Sequence, residues 1–199
     1  MGLVVLILGL VIFIAAHVFV TRRKARTVLI ERIGLVPYRA LFSLVSIVAL
    51  GLIVWGFGRY LHTEYQPVWT PPAWMRHVTV ALVWPAIILM TAALIRGDIY
   101  RKLKYPFLAG LKLWAFAHLL SNGDLGGIIL FGSILAWAVY VRISLKHRTD
   151  VHALAIPVGG RLNDVLAVVA GTLIYLALGF LFHPLFIGIP VFGSHGLVT

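Results

Sequence analysis

Apolar residues run along this chain in long stretches, and the polar positions collect between the stretches instead of alternating within them. Six stretches qualify or nearly qualify as membrane-crossing α-helices: 2–20, 38–58, 74–95, 107–121, 125–141 and 165–182. A spanning helix takes about 20 mostly apolar residues, so the fourth and fifth are short members of the set. The pattern predicts an all-α protein, a polytopic transmembrane helix bundle of about six spans. With no internal repeat, no low-complexity run and no segment polar enough for a soluble domain, residues 1–199 read as a single transmembrane domain. In it 165–182 is the last span and 183–199 an apolar tail, either re-entrant or packed on a partner.

The connecting segments carry their own signals. After the first span, 28–36 has the mixed pattern of an interfacial helix. The segment 60–72 ends in Pro71-Pro72 between Trp69 and Trp74, a rigid turn with aromatic anchors at headgroup depth. Pro85 is expected to bend the third span, and Pro106 suits the first turn of the fourth. Ser121-Asn122-Gly123-Asp124 reads as a tight turn in which Asp124 caps the helix that follows.

Composition agrees with the pattern: 61% of the residues are hydrophobic and the mean hydropathy is +1.01, well above what a soluble core of this size requires. The net charge of +11 would suit nucleic acid, but its placement argues against that partner. Of 17 Lys and Arg, six lie in 22–39, five in 96–112 and four in 142–161. These segments join spans one to two, three to four and five to six, so the positive-inside rule puts all three in the cytoplasm and both termini on the outer, periplasmic side. The surplus charge there faces the anionic lipids of the bilayer. The first apolar stretch has no basic residues before it and reads as an uncleaved helix, not a signal peptide. There is no cysteine, which excludes disulfides and thiolate metal sites.

Ionisable residues inside spans are costly and therefore candidates for function. His17 lies near the inner end of the first span, where an interfacial role in headgroup water is the plain alternative. His118 is flanked by apolar residues in Leu113-Trp114-Ala115-Phe116-Ala117-His118-Leu119-Leu120. A lone membrane histidine commonly hydrogen-bonds a neighbouring helix; its sharper use is as an axial ligand of haem iron, two imidazoles from different helices clamping the group. Lys112 snorkels to the inner leaflet or meets a haem propionate. His77, beside Arg76 at the start of the third span, faces headgroups or serves as a rival ligand. At about 1.5 Å per residue, His118 lies roughly 18 Å from the inner end of its span, at an outer depth that His77 shares and His17 does not.

His17 with Arg22-Arg23, then Glu31-Arg32, Pro37-Tyr38-Arg39, Leu41-Phe42-Ser43-Leu44-Val45-Ser46, Trp69-Thr70-Pro71-Pro72, and the run Lys112 to Asp124 resemble the NnrU family of bacterial membrane proteins. The likeness is strongest over residues 1–148. The family is linked with nitrite and nitric oxide metabolism in denitrifiers and is similar to zeta-carotene isomerase, a membrane enzyme that uses haem b. The resemblance implies that His17 and His118 are the iron ligands, in conflict with the depth estimate. Two departures stand out: Lys104-Tyr105-Pro106 replaces the Arg-His-Pro of the isomerase and the isoprenylcysteine methyltransferases, and Ala115 stands where the isomerase has a cysteine.

Four functions compete. The first is a haem b protein of the bacterial inner membrane that senses, carries electrons or assists nitrogen-oxide respiration, without being an enzyme. The second is a haem-dependent cis-trans isomerase acting on a polyene, with Trp114, Phe116 and Trp137 lining an apolar groove. The third is an isoprenylcysteine-type methyltransferase, disfavoured because 142–148 holds none of the acidic residues it needs. The fourth is a structural subunit bound to another membrane protein.

Overall fold

The computed structural model describes residues 1–146 and 158–192. Its helices are α1 (Gly2–Thr21), α2 (Arg23–Ile33), α3 (Leu35–Thr63), α4 (Ala73–Ile95), α5 (Asp98–Leu103), α6 (Pro106–Ser121), α7 (Leu125–Lys146) and α8 (Arg161–Ala177), the last continued by a π-helical segment, Leu178–Ile187. Among the described residues the only extended pairing is an isolated bridge between Pro67 and Asp124. α1, α3, α4, α7 and α8 with its continuation are long and apolar enough to cross a bilayer. α6, with 16 residues, is shorter. The protein is an all-helical membrane protein, and each of the six stretches read from the hydropathy lies inside one of these helices.

The bounds differ where backbone geometry, not hydropathy, ends a helix. The interfacial helix expected at 28–36 runs instead from Arg23 to Ile33, because Gly34 takes φ +87°, a value side chains rarely allow, and Leu35 already begins α3. α3 extends to Thr63, beyond the apolar run, carrying Arg59 and His62 on its last turns.

The described residues form two compact units: 1–70 with 123–146, and 71–122 with 158–192. In the first, α1 packs along α3, and α7 packs on α1. Gly2 and Gly9 on one helix and Ala49 and Gly56 on the other are each seven residues apart, the spacing that returns to one seam of a helix pair. A Cβ added at Gly9 would lie 2.9 Å from the Ile53 amide nitrogen, so the backbones meet where only hydrogen fits. Leu6 and Ala49 are fully buried at this seam. Glu64, just past α3, accepts the Leu3 amide at 3.3 Å and that of Gly2, placing a carboxylate at the positive end of α1. The turn after α6 is tied to the same unit by Gly123, whose carbonyl takes the amides of Val68 (2.7 Å) and Trp69 (3.0 Å). Asp124 caps α7 as expected, accepting the Gly127 amide at 2.7 Å.

In the second unit α4 packs against both α6 and α8. α4 runs through Pro85, and the ties to its neighbours flank that proline. Thr79 Oγ1 donates to the Ala117 carbonyl of α6 at 2.8 Å, Trp84 Nε1 to Thr172 Oγ1 at 3.0 Å, and the Tyr175 hydroxyl to the Val80 carbonyl at 3.1 Å. At the start of α8, Asn163 Nδ2 donates to the Ile95 carbonyl at 2.8 Å while Asp164 Oδ1 accepts the Ile99 amide at 3.0 Å. Two adjacent side chains therefore close the end of α4 and the beginning of α5. The expected apolar tail is helical to Ile187, and its described part then folds back: Phe192 packs on Tyr175 and Phe180, and Arg76 Nη2 donates to the Val191 carbonyl at 2.7 Å. Residues 193–199 and most of the last basic segment lie outside the described residues.

Candidate functional site

His17 projects from α1 into an aromatic box in the first unit. Phe13, one turn earlier, stacks on its ring at 4.0 Å; Phe42 of α3 and Trp137 of α7 meet it edge-on at 5.1 and 5.3 Å. His17 Nδ1 lies 2.8 Å from the Phe13 carbonyl. A carbonyl only accepts, so Nδ1 carries the proton and, in the neutral ring, Nε2 carries the lone pair. Three buried polar atoms of this unit have no hydrogen-bond partner among the described residues: Trp137 Nε1, Tyr38 Oη and Arg26 Nε. Arg26 lies over the Tyr38 ring, 5.6 Å from its centre.

His118 projects from α6 in the second unit and repeats that geometry. Its Nδ1 is 2.8 Å from the carbonyl of Trp114, whose ring lies 4.7 Å away. Again Nε2 is the nitrogen left with a lone pair in the neutral form. Asn122 explains part of the Ala-His-Leu-Leu-Ser-Asn-Gly-Asp run without chemistry: its backbone amide and Nδ2 both bond the His118 carbonyl, at 2.9 and 2.7 Å. With Asp124 capping α7, the last three residues of that run close one helix, turn the chain and open the next.

His77 is exposed at the start of α4 and lines a shallow depression with Pro71, Pro72, Arg76 and Ser121. Its neighbour Arg76 is turned to the chain's own carbonyls. Lys112 lies in the second turn of α6. Of the predicted groove, Trp114 stands against His118, Phe116 is exposed and Trp137 belongs to the box around His17.

The residue that hydropathy did not single out is His183. It lies in the π-helical continuation of α8, its ring centre 6.3 Å from that of His118 with the planes 18° apart, and its Nδ1 is 3.0 Å from the Leu178 carbonyl. The signal available beforehand was the absence of charge from 165 to 192, which permits the last span to run past His183. Among the described residues no three His, Cys, Asp or Glu side chains cluster as a metal-ion site would require.

The family model described as NnrU protein matches residues 5–191, nearly the whole chain. The chain belongs to the NnrU family. No curated protein and no solved structure matches it. The family match includes α1 with His17, α6 with His118 and the π-helical segment with His183.

Proposed function

We propose that this NnrU-family protein binds haem b in the bacterial inner membrane, with His118 as an axial ligand, and acts as a sensing, electron-carrying or accessory component of nitrite and nitric oxide metabolism. The observation that carries the reading is the setting of His118. An imidazole stands in an apolar helix with Nδ1 committed to a backbone carbonyl, the support that metal-ligating histidines characteristically receive, so that Nε2 presents its lone pair. The donor chemistry fits haem iron, which takes imidazole nitrogen and asks no thiolate or carboxylate of the protein. Haem would supply one-electron chemistry. The family resemblance adds His17 as the second ligand, and the identical Nδ1 arrangement suits it to that role.

The positive-inside distribution of Lys and Arg supports an orientation with both termini in the periplasm. Six spans, an even number, bring both ends to one face.

The test is optical. Protein purified in detergent after expression with ample haem is expected to show a Soret band and, on reduction, the sharp visible bands of a six-coordinate b-type haem, lost in His118→Ala and retained in His77→Ala. Colourless wild-type protein overturns the reading.

A further inference from the structure

A groove of about 360 Å³ runs between α1 and α7 in the first unit, a volume in the range of ligand sites. Ile7, Val11, Ile14 and Val18 line it from α1, and Ile129 and Ser133 from α7. The α1 residues follow one another at three or four positions, so they form one stripe along the helix. From Ile7 to Val18 that stripe is about 16 Å long. One leaflet of hydrocarbon is about 15 Å deep, half the apolar thickness of a bilayer. The groove therefore matches a single acyl chain, whereas a spanning helix of a partner would need a face as long as the whole membrane is thick.

The stripe ends in charge. Its next position is Arg22, one turn beyond Val18, whose amide donates to the Phe19 carbonyl at 3.0 Å and so stays on the end of α1. α2 begins at once, and Arg22, Arg23 and Lys24 are exposed there. The first turn of α2 holds no acidic residue, and no side chain caps it. Cations at the positive end of a helix oppose its dipole; an anion at this point offsets the side-chain charges and accepts from the free amides. A second observation points the same way. Arg26, in that turn, lies over the ring of Tyr38, which is only 6% exposed. Arg26 Nε and Tyr38 Oη have no hydrogen-bond partner among the described residues. Two donors at the cationic turn thus lack acceptors of the kind that phosphate oxygens supply.

We propose that the α1–α7 groove binds one anionic phospholipid, an acyl chain lying along Ile7 to Val18 and the phosphate at Arg22 and the first turn of α2. This is a single lipid in a shaped site, distinct from the diffuse attraction of basic segments to a charged bilayer surface. It does not rest on the haem reading.

The experiment titrates full-length protein in mild detergent with phosphatidylglycerol or with phosphatidylcholine of the same chains, and counts bound lipid by native mass spectrometry. One phosphatidylglycerol per chain is expected, held more tightly than phosphatidylcholine. Arg22→Gln, at an exposed position, is expected to weaken phosphatidylglycerol about fivefold, the effect of one cation near an anionic surface, and Arg22→Lys to retain it. Ala15 also lines the groove; Ala15→Phe fills it, leaves every charge in place and is expected to weaken both lipids. Lys102→Gln, in the second unit, is expected to bind as the wild type does. Equal affinity for the two lipids, or an equal loss in Lys102→Gln, overturns the site in favour of a general charge effect. Unchanged binding by Ala15→Phe overturns the groove as the seat of the chain, as does displacement of the lipid by excess inorganic phosphate. A lipid-free dimer that Ala15→Phe dissociates overturns the proposal in favour of a second copy as the occupant.

Discussion

Single residues in this protein are set by their nearest backbone groups, and three of them can be tested one at a time. Trp137 brings a buried indole N–H against His17 with no acceptor among the described residues. An unsatisfied buried donor costs about 1–3 kcal/mol. Trp137→Phe drops the donor but also part of the ring volume, so the relief opposes a cavity cost; the thermal midpoint in detergent is expected to fall by less than a buried Trp truncation usually costs, and a fall of the full size would show that the N–H has a partner. Tyr65, in the loop after α3, has its hydroxyl pushed above the ordinary tyrosine range by burial first, then by the nearby Asp124 carboxylate and Tyr60. The neutral form is the one the fold favours. Its contribution to stability is thus intact at neutral pH and is lost as alkali takes pH up from the unfolded value through the raised folded one. Asp124→Asn retains a capping oxygen for Gly127 and removes the charge. It is expected to lower the Tyr65 titration only partway in an ultraviolet absorbance titration, with Tyr65→Phe identifying the signal, because burial is the larger cause. These details were invisible in the sequence: His17 and His118 stood out as polar letters among apolar ones, but the carbonyls that fix their tautomers are products of helix geometry.

At the scale of elements, the helices follow from the hydropathy and their ends from local stereochemistry. Gly34 separates α2 from α3 where a smooth apolar scale sees one gradual rise. The α1–α3 seam depends on glycine at close backbone approach, and no side chain can be accommodated there without moving a helix. Gly9→Val is expected to cost about 1–3 kcal/mol by overpacking, read as a lower unfolding midpoint in a mild-detergent titration, whereas Gly51→Val, where a Cβ meets nothing within 4 Å, should change little. The π-helical end of α8 makes the sharpest prediction. Pro184→Ala restores an amide and permits the α register, which would turn His183 by about a quarter turn relative to the preceding helix. The new amide at position 184 is expected to be protected from hydrogen exchange in detergent, as inside a closed α-helix. Rapid exchange there would show that the π form persists without the proline. The last apolar stretch was legible, but its extent was not, since Pro184 reads as a helix stop and instead sits inside a widened helix.

For the whole molecule, the absence of cysteine makes topology directly measurable. Single cysteines introduced at Lys24 and Lys102 are expected to be shielded from a membrane-impermeant maleimide in intact cells, and one at Tyr65 to be labelled; the reverse pattern overturns the orientation with both termini outside. By itself the sequence determined the class of protein, the apolar stretches and the family, because hydrophobic length is a local quantity that the bilayer reads directly; the sidedness it proposes from Lys and Arg awaits the labelling experiment. It also offered His118 as the foremost candidate, since a polar residue in hydrocarbon is conspicuous wherever it occurs. Only tertiary structure decided which rings become neighbours. His17 lies among Phe13, Phe42 and Trp137, and His118 beside His183, 65 positions further along the chain. Such pairings depend on which helices pack and on a proline-widened turn, and neither the period nor the hydropathy of a single span carries that information.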